Sequence, residues 1–365
     1  MAADCCYNPA MKTLFPALLL LLLTALITPA LHGADGAELY TATVPVADHS
    51  EAERTRALRA GLAEVVVKLT GSTASVASSE VRSLLARASS YVVEFGYVEL
   101  PLAEQGLGLS VKYSRAELDA FLREKRLPVW PPQRAALLVW VLREAGGQPQ
   151  TFVTRDEDEG LYAHLDRAFA ARGLPVRYPL YDLEDQLGLP VATAWSLDAE
   201  ELARASVRYG ANQWLVLRCY QSASDYWRLA WVLGRGEQTS LDSLEGADLD
   251  ALLQQVVDGA VDSIAAGQAY IPTLTAGRVA LEVSGVDGFA SYTGMLDTLQ
   301  GLSMVRSVTI AQVVGERISL FLDVEGSEKV LLDALALSEH FNLPEQPGAP
   351  GQALSVVWRQ PTSFR

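Results

Sequence analysis

Carboxylates are the side chains of this 365-residue chain most densely placed for chemistry. The run Asp156-Glu157-Asp158-Glu159-Gly160 offers the first two alternating acids of a calcium loop. Glycine then falls where a third ligand is needed, and no glutamate closes the loop at the required distance. Just ahead of a helix start, the same acids oppose the positive end of the helix dipole, and that is the reading adopted. A second group, Asp182, Glu184 and Asp185, could supply the acid and base of a hydrolase. The four histidines, His32, His49, His164 and His340, are scattered, with no H-E-x-x-H pattern or other metal spacing. No Gly-x-Ser-x-Gly elbow occurs. Gly106-Leu107-Gly108 and Gly234-Arg235-Gly236 lack the strand–glycine–helix order of a phosphate loop and read as strand ends or hairpins. Cys219 sits in the apolar run Trp214-Leu215-Val216-Leu217 and reads as a small buried hydrophobe. These residues name no catalytic group, metal site or cofactor.

Aromatic residues give the stronger pattern. Along residues 226–233, Trp227, Leu229, Trp231 and Leu233 share one face of a strand and Arg228, Ala230 and Val232 the other. In the preceding strand, Trp214 and Tyr220 share a face with Val216 and Arg218. On an open sheet, Trp214, Tyr220, Trp227 and Trp231 would form a ligand face able to stack on sugar or peptide. Beneath a helix they would be core, and the long amphipathic pattern at 249–266 favours core.

The elements that position these residues fall into three segments. The first, 38–127, reads β-α-α-β-β-α, with capping boxes at Ser50–Glu53 and Ser114–Glu117 and a helix stop at Gly71. The proline cluster 128–132 is a stiff linker. The second segment, 134–268, alternates strands and helices around the continuous apolar run 135–142, the mark of a strand covered on both faces. A break at Tyr270-Ile271-Pro272 precedes the third, 277–365, with the β-α-β-β-α-β order of a ferredoxin-like domain and a Pro/Gly-rich loop at 342–351. The expected fold is therefore α+β and α/β, three small mixed domains in tandem.

Ahead of these, Met11-Lys12, an uncharged leucine-rich run at 14–27 and small residues at 33–37 follow the order of a cleavable secretory signal, and the region 1–36 is assigned to it. The apolar run is shorter than the roughly 20 residues a membrane-spanning helix needs, so no stable span is expected after cleavage. Met11 reads as the true start. Cys5 and Cys6 would then be absent, leaving Cys219 without a disulfide partner. The net charge of −15, from 44 acidic and 29 basic residues, excludes a basic nucleic-acid footprint. The expected location is the periplasm.

The segments Tyr40 to Asp48 and Val67-Lys68-Leu69-Thr70-Gly71, with Tyr178-Pro179-Leu180-Tyr181-Asp182 and Arg208-Tyr209-Gly210-Ala211, resemble an uncharacterised bacterial envelope family, domain of unknown function 2066. The middle segment is also similar, at fold level, to α/β domains of periplasmic accessory proteins in outer-membrane assembly. The resemblance implies no catalytic residues. Taken together, the sequence points to a non-catalytic envelope protein whose partner is another envelope protein. The alternatives are a carboxylate-based hydrolase and a glycan or peptide binder working through the tryptophan strands.

Overall fold

The computed structural model describes residues 38–100, 106–222, 226–273, 276–338, 340–343 and 353–359. The expected signal region and most of the 342–351 loop lie outside them.

In the first segment the chain runs through β1 (Thr41–Val46), α1 (Glu51–Thr70), α2 (Ser79–Leu85), β2 (Val92–Glu99), β3 (Leu107–Tyr113) and α3 (Arg115–Glu124). The sheet order is β1-β3-β2, all antiparallel. Ser50 caps α1 by accepting from the Glu53 amide at 3.2 Å, while the Glu53 carboxylate takes the Ala47 amide rather than closing the box on Ser50. Gly71 ends α1 in the left-handed region, φ 74°, its N–H returning to Val67 O. A Cβ there would stand 2.3 Å from the Ala265 methyl, so both backbone and packing require glycine.

The middle segment holds β4 (Leu137–Glu144), β5 (Thr151–Phe152), α4 (Glu159–Ala171), β6 (Val176–Arg177), α5 (Leu183–Gly188), α6 (Val191–Ser196), α7 (Ala199–Ser206), β7 (Gln213–Gln221), β8 (Trp227–Arg235), β9 (Gln238–Gly246) and α8 (Leu249–Ala266). Its sheet runs β5-β4-β7-β8-β9, with β6 also on β4. β4 and β7 are parallel, as a crossover connection demands. Leu137, Val139, Val141, Leu215, Leu217, Cys219, Leu229, Trp231 and Leu233 pack against α4 and α8. Leu138, Trp140, Leu142, Trp214, Val216 and Val232 pack on the other face beneath α6 and α7.

The third segment comprises β10 (Gly277–Ser284), α9 (Phe289–Gly301), β11 (Val305–Val314), β12 (Arg317–Val324), α10 (Glu328–Leu337), β13 (Phe341–Asn342) and β14 (Leu354–Trp358). The order β11-β12-β10-β14-β13 preserves the expected succession of elements with one addition. The short β13 takes the outer position, and β14 turns back to lie parallel to β10. Both helices pack on one sheet face, over Leu281, Val283, Ile318, Leu320, Leu322 and Val324.

The fold class is α+β, with several small sheets in tandem. All three belong to one compact unit. The two breaks between segments pair with each other: Val129 and Tyr270 exchange backbone hydrogen bonds of 2.8 and 3.0 Å. Trp130, fully buried, donates from its backbone to Leu69 O and from Nε1 to Gln268 Oε1, and the Arg134 guanidinium lies 3.7 Å over its ring. Buried Arg172 joins Gly71 O of the first segment to Asp258 and Asp262 of α8. Buried Glu325 accepts from Arg123 of α3 and pairs with Arg306 of β11. Among the described residues no helix is long and apolar enough to cross a membrane.

Candidate binding site on the middle sheet

The register of the middle sheet sorts its side chains into rows. Leu138, Trp214, Gly234 and Thr239 are cross-strand neighbours, then Trp140, Val216, Val232 and Leu241. Leu142, Arg218, Ala230 and Ser243 follow, and last Glu144, Tyr220, Arg228 and Glu245. α6 and α7 cover the first two rows over β4, β7 and β8. Beyond them Arg218, Ala230 and Ser243 of the third row and all of the last row line a cleft of about 790 Å³, closed on one side by Trp195 of α6, while Leu142 stays in the core. Arg218 spans that wall, donating to Trp195 O at 2.8 Å with its guanidinium 5.3 Å from the indole centroid. Arg228 pairs with Glu245 at 3.2 Å, both exposed. β9 forms the other rim. Among the described residues it is hydrogen-bonded to β8 alone, and Leu241 is 68% exposed.

Such a shelf offers aromatic faces, two guanidinium groups and a free strand edge. These are the elements of β-strand addition, in which the main chain supplies affinity and flanking side chains supply selectivity.

The four aromatic residues singled out from the sequence divide between the two faces. Trp214 is buried under α7, its indole lying across Gly234, where a Cβ would meet the ring at 2.2 Å. Trp231 is buried on the opposite face against α8, and Trp227 is half-buried on that same side. Tyr220 alone of the four stands on the open shelf. Sequence reasoning overlooked β9 and Trp195. The arginines were signalled by the break in the apolar run of β7 at Arg218 and by Arg228 facing away from the tryptophans.

The carboxylate group 182–185 is engaged in a clamp. Arg208 binds Asp182 and Asp185 at 2.6–2.7 Å, and Tyr209 Oη donates to Asp185 at 2.5 Å. Hydrogen bonds from Arg208, then from the Asp185 amide, hold the Asp182 carboxyl well below the usual carboxylate range. Such a group is a poor proton donor near neutral pH. Tyr181, at φ 53°, accepts from Val141 N at 3.1 Å, filling a gap in the β4 edge between the pairings with β6 and β5. Burial raises the Tyr181 hydroxyl well above its ordinary value. Thus the motifs at 178–182 and 208–211 are two halves of one latch.

Asp158 of the acidic run caps α4, accepting from Leu161 N at 3.0 Å, and pairs with Arg143. His164 lies 3.7 Å from Asp250, His49 packs edge-on to Tyr97, and His340 lies against Trp358. Cys219 is fully buried, and burial pushes its thiol up to about 12. No group of three or more His, Cys, Asp or Glu side chains converges as metal ligands among the described residues.

Comparison with known proteins adds an uncharacterised domain. Residues 34–131 match the family described as a domain of unknown function, DUF8605. That match spans the first segment and its linker and carries a different number from the family that the motifs resemble. No curated protein matches. A solved structure described as an uncharacterized protein is 8% identical, covering 37% of this chain and 89% of its own, with a TM-score of 0.16. No fold or function is taken from it.

Proposed function

We propose that this chain is an exported, non-catalytic envelope protein that holds an extended segment of another envelope protein against β9 and the neighbouring shelf. The observation that carries the reading is the free β9 edge beside an open row of Tyr220, Arg218 and Arg228. Parallel support comes from the 182–185 carboxylates, whose engagement by Arg208 gives them a structural task. The leader at 11–37 supports export. The finer kinship with domain of unknown function 2066 rests on motifs that meet in space and belongs to this proposal. A glycan reading draws on the same Trp195 and Tyr220 rings, which suit stacking on sugar.

The test is photo-crosslinking in a Gram-negative host from probes at Leu241 and Ser243, with exposed Phe289 of α9 as control. A protein adduct at the first two positions, lost on Tyr220→Ala with Arg218→Ala, is expected. Adducts that survive those substitutions, or that carry only glycan, would replace the reading. The protein purified from the periplasmic fraction should begin between Leu31 and Ala37. Uncleaved protein in the inner membrane would remove export from it.

A further inference from the structure

A free strand edge templates pairing with another chain unless the protein blunts it, so each edge can be asked what blocks it. β1 is interrupted by Pro45, and Lys68 and Arg56 occupy the carbonyls of Thr41 and Pro45. β2 carries Glu94 and Glu99, and β9 carries Asp242 and Glu245. In a chain of net charge −15, carboxylates on an edge oppose pairing with a second copy. β5, β6 and β13 are two residues long. β11 is different. It is ten residues long, is bonded among the described residues to β12 alone, and has no charged residue from Ser307 to Val314. Its one charge, Arg306, is engaged by Glu325.

Two irregularities, between Val305 and Ser307 and between Ile310 and Gln312, set the phase of this strand. They place Val305, Val308, Ile310 and Val313 opposite Val324, Leu322, Leu320 and Ile318, all on the helix-covered face. Ser307, Thr309, Gln312 and Val314 lie opposite Asp323, Phe321, Ser319 and Arg317 on the outer face. Ile310 and Val313 nevertheless remain 39% and 58% exposed, because nothing described lies beyond the edge.

We infer that β11 is a self-association edge, which pairs antiparallel with β11 of a second copy to join two five-stranded sheets. A two-fold axis between Ile310 and Ala311 is the centre of the uncharged run. It sets Val308 against Val313 on the helix-covered face, and Thr309 against Gln312 and Ser307 against Val314 on the outer face. The irregularity at Ala311 makes this possible, since without the phase change Val308 and Val313 would point to opposite faces. Repulsion between two acidic molecules is screened beyond about 8 Å at physiological salt, so a neutral seam removes the part that acts at contact. Because a single strand pair is marginal in water, the dimer is concentration-dependent.

Sedimentation equilibrium of the purified protein and its variants tests the pairing. The parent should dimerise reversibly, and Ile310→Lys, which sets two like charges beside the axis, and Val313→Lys, which puts a charge against Val308 of the second copy, should each weaken the dimer by about tenfold or more. Leu241→Lys on β9 should leave it unchanged. A parent that stays monomeric at every concentration overturns the inference, as does a dimer indifferent to both β11 substitutions. Should a lysine variant fail to fold, the double variant Thr309→Cys, Gln312→Cys decides, because its thiols face each other across the proposed axis. A disulfide-linked dimer under mild oxidation is expected, and a dimer that cannot be linked there has its interface elsewhere.

Discussion

In the middle sheet, β7 buries Trp214 and Val216 on one face and Leu215, Leu217 and Cys219 on the other. In the C-terminal sheet, β12 alternates, with Ile318, Leu320, Leu322 and Val324 buried and Arg317 and Phe321 exposed. The middle sheet is a partition between two cores and reaches solvent only where its covering helices run out. The C-terminal sheet is a lid with helices on one side, so a whole face and a long edge remain open. The difference shows where tryptophan serves stability and where exposed aromatic or branched residues are free to meet a partner.

The sharpest way to break this contrast is to truncate the middle tryptophans. Trp214→Ala and Trp231→Ala should each cost about 3–5 kcal/mol in urea unfolding, as large aromatic truncations in cores do. Trp227→Ala, half-buried, should cost clearly less. Near-parental stability for Trp231→Ala would mean that its face is a surface. Trp214 has a second constraint: its ring occupies the space a side chain at 234 would need.

Much of this architecture was legible because the relevant signals are local. The serines at 50 and 114, Gly71 and the leucine spacing of α1 and α8 specify helices through caps and periodicity. β9 was missed because Gln238-Thr239-Ser240-Leu241-Asp242-Ser243 has neither alternation nor an apolar run. Its order comes from a continuous ladder with β8. The tryptophan strands were read correctly for facing within each strand, but the faces of two neighbouring strands cannot be matched without their register. That register separates Trp214 from Trp231 and leaves Tyr220 in the open. The two proline-rich breaks looked like spacers, yet their backbones pair, which depends on contacts more than a hundred residues apart.

That pairing sharpens the comparison at the boundary between the two regions. Tyr270 precedes the C-terminal segment in sequence but is buried in its core, against Gly326. A fragment 268–365 should therefore unfold cooperatively and be more stable than 277–365, by about 2 kcal/mol, the worth of burying one large side chain. Equal stability in thermal melts would show that Tyr270 belongs to the linker. An unfolded longer fragment would make the last two segments a single folding unit.

The smallest effect expected is a pH dependence confined to the middle region. Asp182 is held below the ordinary value of 3.8, first by its hydrogen bond from Arg208 and then by the Asp185 amide. A carboxyl whose folded value is depressed binds its proton more readily when the chain is unfolded. Its contribution to stability is thus complete above the unfolded value and is lost as the pH falls through the folded one. The window lies below about pH 4. In the C-terminal region Asp323 is also lowered, by Ser307 and secondarily Arg278, without a buried partner comparable to Asp185. Arg208→Ala removes the clamp, so the Tm difference between parent and variant should be greatest near neutral pH and shrink on acidification below about pH 4. Arg278→Ala should change Tm less at every pH, because its pair with Asp323 is at the surface. If the parent–Arg208→Ala difference stays constant down to about pH 2, Asp182 is not held as described.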